Sequence, residues 1–167
     1  MSHRTARLAA AAALGLAIAV GAGLAPTLWA TTGSEARAAD VNADAQIKYR
    51  KSVFRAVGGA ANNIAAIMKG DVTAPEGQKA KYIAVLAAAA DPALIETAFK
   101  PDTSGQGTEK TTVSGKIWSD FDGFMAKARD LEKAVAALSA KGEDAGFDDM
   151  KAVFGTCKAC HDAYRER

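Results

Sequence analysis

The sequence has only two cysteines and two histidines in 167 residues. That is too few for a four-cysteine zinc site, and a mixed site would have to recruit His3 at the extreme N-terminus. It also lacks an excess of charge: 21 Lys and Arg face 19 Asp and Glu, a formal net of +2. A strongly basic nucleic-acid binder and an acidic disordered tail are therefore excluded. Aromatic residues make up 7%, and no strand-like alternation is found. What is abundant is alanine, which dominates the 49% hydrophobic content and favours helices. The length suits one domain or two small ones.

Residues 1–39 read as a secretory signal peptide that is cleaved, leaving residues 40–167 as the mature domain. His3, Arg4 and Arg7 form a basic start, residues 8–24 are unbroken apolar chain, and Pro26 interrupts the run. Ala36-Arg37-Ala38 fits a small-x-small cleavage pattern, with the cut after Ala38 or Ala39. The competing reading is an uncleaved membrane anchor, for which the apolar run is at the short limit. Cleavage removes His3 and, with it, the mixed zinc site. It also removes Arg4, Arg7, Arg37 and Glu35, leaving 18 basic and 18 acidic residues. A neutral mature chain carries no electrostatic argument for nucleic acid or for an anionic membrane.

Four helical seams can be traced by period. Ile47, Arg50, Phe54, Val57, Ala61, Ile64 and Met68 alternate spacings of three and four, which places them on one helix face. Gly58-Gly59 is expected to bend this helix or admit a close neighbour, and Gly70 to end it. Thr73-Ala-Pro-Glu76 reads as the capping-box start of a second helix that runs through Tyr82, Ile83 and Leu86 until Asp91-Pro92. Ala93 to Phe99 suits a short helical turn, and residues 101–107 a loop. The third seam is Ile117, Phe121, Phe124, Ala128, Leu131, Val135 and Leu138. The fourth, starting near Asp144, is Phe147, Met150, Phe154, Cys157, His161 and Tyr164. Four seams and one long connection predict an all-α, antiparallel four-helix bundle with a crossover.

The fourth helix carries the chemistry. Cys157-Lys-Ala-Cys160-His161 is a C-x-x-C-H motif, which reads as covalent attachment of one haem c. Thiols three residues apart share a helix face and can both add to the vinyl groups of one macrocycle. His161 then stands beside the ring, where its imidazole can ligate iron. A thioredoxin-like pair would instead need a βαβ setting. A structural disulfide would leave His161 unexplained. Arg50 is the one charge on an apolar seam. A buried arginine needs an anionic partner, which a haem propionate would supply; alternatively its stem packs near the bundle end while its head reaches water. Arg165 follows His161 by one turn, where the helix dipole also favours a cation.

A haem motif this close to the C-terminus of a four-helix chain resembles the cytochrome c-prime family. The resemblance rests on Ile47-Lys-Tyr-Arg50, on Lys116-Ile-Trp-Ser-Asp120 and on Cys157-Lys-Ala-Cys-His-Asp-Ala-Tyr-Arg165. It implies haem held near the C-terminal end of the fourth helix and an open haem face against the first helix at Phe54. Arg165 would lie close to the proximal His161. Residues 40–167 would then be a periplasmic, high-spin, five-coordinate haem protein, commonly a homodimer through the first two helices. The function implied is one-electron transfer, binding of nitric oxide and carbon monoxide, or both, with the redox partner unidentified. The alternative is a low-spin six-coordinate electron carrier of the cytochrome c-556 type. It would need a methionine ligand from Met68, Met125 or Met150, of which Met68 lies about 21 Å along the helix from Phe54 at 1.5 Å per residue. An enzyme such as a peroxidase would need distal acid–base groups that the sequence does not offer, so no catalytic activity is expected.

Overall fold

The computed structural model describes residues 42–166. The expected signal peptide, residues 1–39, lies outside the described residues. Six α-helices follow in order: α1 (Ala43–Lys69), α2 (Gln78–Ala89), α3 (Pro92–Phe99), α4 (Lys116–Ser119), α5 (Phe121–Lys141) and α6 (Phe147–Tyr164). The four long ones, α1, α2, α5 and α6, make the bundle: α1 packs on α2 and α6, and α5 on α2 and α6. Among the described residues the one pairing of extended backbone is an isolated antiparallel bridge between Val113 and Arg165.

Helix α1 starts where Asn42 accepts a 3.0 Å hydrogen bond from the Ala45 N–H and satisfies one orphan donor. It ends at Gly70, whose φ of 78° is a left-handed conformation that favours glycine. Its seam is buried at Ile47, Arg50, Val57, Ala61 and Ile64, while Phe54 and Met68 are only partly covered. The helix runs unbroken through Gly58-Gly59, and a Cβ at either glycine would meet nothing within 4 Å. The expected close neighbour at this pair is therefore not found.

Helix α2 begins later than the Thr73–Glu76 capping box predicts. The chain turns through Pro75, whose carbonyl accepts from the Gln78 N–H at 3.1 Å, and through Gly77 at φ 78°. Capping comes from across the fold: Glu143 Oε1 accepts from the Ala80 N–H at 2.7 Å. Lys79 reinforces this corner by donating to the carbonyl oxygens of Glu143 and Ala145. Glu143 sits in a short 3₁₀ turn, Gly142–Asp144, which also delays the last helix to Phe147.

The third seam is split at Asp120 (φ −137°, ψ 51°), which separates α4 from α5. The cause is a tertiary bond: the Tyr164 hydroxyl donates to Asp120 Oδ2 at 2.6 Å, and Asp120 turns out of the helix to accept it. Between α3 and α4, residues 100–115 form a strap. Asp44 fastens it to α1 by accepting from the Thr108 and Glu109 N–H groups at 2.6 and 2.7 Å. The far end is tied to the terminus of α6, where Ser114 N–H donates to the Tyr164 carbonyl and Glu166 N–H to that of Thr112.

The core is divided. One cluster holds Ile64, Leu86, Val135, Leu138, Met150 and Val153. The other is aromatic, with Phe99, Phe124 and Tyr164 around Ile95 and Ile117.

Candidate haem site

Cys157 and Cys160 stand at the junction of the two clusters. Cys157 packs partly against the first and Cys160 against the second, and both are free thiols. Burial raises the Cys157 thiol above its ordinary value. Burial, with the neighbouring Cys157 adding to it and Lys127 opposing, pushes Cys160 up to about 11. Burial thus disfavours the thiolate form of both cysteines.

Two adjoining cavities open at this junction, of about 700 and 310 Å³. Those volumes fall in the range of small-molecule and cofactor sites. Phe54, Phe124, Cys160 and His161 line both, and Cys157 lines the smaller. Two thiols and an imidazole thus line adjoining, largely apolar space with aromatic walls. This donor set and shape fit covalently held haem.

His161 does not lie buried on the fourth seam as its spacing predicts. Its side chain is exposed, facing the open cavities rather than packing in the core. The apolar surroundings, and then the Arg165 cation, hold the imidazole below its ordinary pKa, with Asp162 opposing. The ring is accordingly neutral at neutral pH, with a lone pair free for a metal.

Phe54 is half-buried and meets Phe99 edge-on, with ring centroids 5.6 Å apart. Arg165 caps α6 and donates from Nε to Thr112 Oγ1 at 3.1 Å. Arg50 lines the larger cavity but is only 2% exposed, and its protein partners are neutral. Its guanidinium donates to the Ala98 carbonyl and to Thr103 Oγ1, each at 3.1 Å. It also lies 4.6 Å from the Phe99 ring centroid and 5.2 Å from that of Trp118. Carbonyls, a hydroxyl and two π-faces satisfy this cation without a carboxylate. Burial lowers its pKa, and Asp102 partly offsets that at a distance.

Sequence reasoning did not single out Phe99, Phe124, Lys51, Arg55 or Lys110 as lining residues. Phe124 was visible as part of the third seam. Phe99 ends an apolar stretch whose direction depends on tertiary contacts. The three cations sit on the polar flank of α1 and on the strap, where periodicity says nothing.

The family model described as Cytochrome C' matches residues 45–165. The chain belongs to the cytochrome c' family. Cytochrome c' of Rubrivivax gelatinosus is 34% identical over 126 residues, covering 72% of this chain and 94% of that protein. A cytochrome c-556 of Agrobacterium tumefaciens is 33% identical over 122 residues, covering 70% of this chain and 90% of the relative. The solved nitric oxide complex of a cytochrome c prime variant from Alcaligenes xylosoxidans superposes with a TM-score of 0.62. It shares 27% identity and covers 76% of this chain and 98% of its own. As a cytochrome c', the chain is a haem protein of electron transfer or gas binding, with haem c covalently attached.

Proposed function

We propose that residues 40–167 are a periplasmic cytochrome c' with five-coordinate, high-spin iron, serving one-electron transfer and the binding of nitric oxide and carbon monoxide. The observation that carries this reading is the shared lining of the two cavities: Phe54 and His161 line both, and no methionine lines either. Met125 and Met150 are buried in the core, and Met68 packs beside the first cluster. Cys157 and Cys160 would hold the haem as thioethers, and His161 would be its one protein ligand. Bound haem supplies an iron that exchanges one electron and has a coordination position for a diatomic gas. Phe54, which lines both cavities, would present an apolar ring to bound haem and offers no hydrogen-bond donor. Such a pocket disfavours dioxygen, which needs a donor, more than nitric oxide or carbon monoxide.

Arg50 stands at the pocket edge, where it fixes the strap to α1 through Thr103 and where a haem propionate would find a cation. Arg165 stands beside His161 and ties α6 to Thr112. The proposed assembly is a homodimer through α1 and α2, supported by the exposed apolar side chains of Tyr49 and Val85 on those helices.

The likeness to a cytochrome c-556 favours a second reading, a six-coordinate low-spin electron carrier. Absorption spectra of the purified holoprotein, before and after carbon monoxide, separate the two. A high-spin spectrum that shifts with the gas, and shifts faster in Phe54→Ala, supports the proposal. A low-spin spectrum that carbon monoxide leaves unchanged supports the second reading.

A further inference from the structure

The walls of the larger cavity carry charge of one sign. Among its fifteen lining residues are Arg50, Lys51, Arg55, Lys110 and Arg165, and not one Asp or Glu. The composition does not explain this, because residues 40–167 balance 18 cations against 18 anions. Nor is it general to the site, since the adjoining smaller cavity is lined by Lys127 as its only Lys or Arg.

These cations are not all neutralised by the protein. Arg50 is buried among carbonyls and rings, and Lys51 pairs with Glu109 at 2.5 Å. The neighbouring Asp162 pairs with Lys158. Arg55 and Lys110 are exposed and have no ion pair among the described residues, and exposed Arg165 meets only the neutral Thr112 hydroxyl. The two carboxylates of a haem would offset part of this charge and still leave the rim positive.

We propose that the mouth of the larger cavity is the docking surface for the acidic face of a redox partner protein, attracted by Arg55, Lys110 and Arg165. The inference rests on the haem reading above. One electron passes from the reduced partner, which is oxidised, to the ferric haem, which is reduced; no bond forms or breaks. A positive rim steers an acidic partner to the mouth of the cavity that Cys160 and His161 line.

The test is stopped-flow electron transfer with the haem-loaded mature protein while ionic strength rises from about 10 to 200 mM. Over that range the Debye length shrinks from about 30 to about 7 Å. Reduced flavodoxin serves as an acidic protein donor, hexaammineruthenium(II) as a small cationic donor, and ferricyanide as a small anionic acceptor from the ferrous protein. The expected result is a flavodoxin rate that falls about tenfold with salt, against a ruthenium rate that rises. At low salt, Arg55→Glu with Lys110→Glu lowers the flavodoxin rate by a similar factor and raises the ruthenium rate. Opposite changes with the two donors cannot come from misfolding.

A flavodoxin rate that is flat or rises with salt overturns the proposal. So does a salt dependence that the double variant leaves unchanged, which puts the steering charge elsewhere. Salt dependence with ferricyanide but not with flavodoxin also overturns it, since the mouth then takes small anions rather than a protein. Failure of the haem reading is distinct: the purified protein would show no haem absorption before any rate was measured.

Discussion

The Tyr164 hydroxyl and the Asp120 carboxylate meet at 2.6 Å across 44 positions of sequence, and Gly123 is the residue that makes room for them. A Cβ at position 123 would lie 2.5 Å from Asp120 Oδ1 and 2.7 Å from the Tyr164 hydroxyl. Gly123→Ala should therefore destabilise the fold by about 1–3 kcal/mol through overpacking and a broken hydrogen bond. Gly59→Ala, in an exposed helix interior with nothing within 4 Å, should instead stabilise it by about 0.5–1 kcal/mol. Urea unfolding of both variants checks the pair of opposite signs.

The same bond predicts an alkaline limit. The hydrogen bond to Asp120 is the main cause raising the Tyr164 phenol from its ordinary value of 10 to about 12, with burial adding to it. A raised folded pKa means that the folded state holds its proton more tightly. Its stabilisation is complete below pH 10 and is lost as pH rises through 12. Stability measured between these limits should fall with pH, and Tyr164→Phe should flatten that part of the curve.

Arg50 should resist conservative replacement. It combines two 3.1 Å hydrogen bonds with contact on two aromatic faces, a planar arrangement that an ammonium cannot reproduce. Arg50→Lys is expected to cost about 2–4 kcal/mol. Thr103→Val, which removes one neutral acceptor, should cost about 1 kcal/mol. Thermal denaturation of the two variants gives the ordering.

Asp44 should control the strap. Its carboxylate is held below the ordinary aspartate value first by the Glu109 N–H, then by Thr108 through N–H and hydroxyl. A lowered folded pKa contributes stability that is present above the unfolded value, 3.8, and is lost as pH falls through the folded one. Hydrogen exchange at the Thr108 and Glu109 amides should accelerate in Asp44→Ala at neutral pH. In the native chain it should remain protected until the medium is more acidic than an ordinary aspartate requires.

The helical seams were legible because each repeats a three-four spacing long enough to mark a face, as Ile47 to Ile64 and Ile117 to Leu138 do. The attachment motif was legible because two thiols and an imidazole lie within five residues. The start of α2 was not, because its cap is Glu143, 63 residues away from Ala80. The break at Asp120 was not, because its cause is Tyr164. The partners of Arg50 were hidden for a related reason: they are backbone carbonyls and a hydroxyl in and after α3, and no side-chain pattern announces a carbonyl. The cationic rim likewise combines α1, the strap and the end of α6, which only tertiary structure brings together.

The cap that Glu143 places on α2 makes one helix conditional on a corner formed much later in the chain. A ribosome releases residues 78–89 well before residues 142–145. Until that corner arrives, the nascent second helix lacks both the acceptor for the Ala80 N–H and the carbonyls that hold Lys79. Helix nucleation is unfavourable on its own, so α2 should consolidate only with the α5–α6 turn. Amide protection during refolding should then appear at α2 and at that turn in a single kinetic phase.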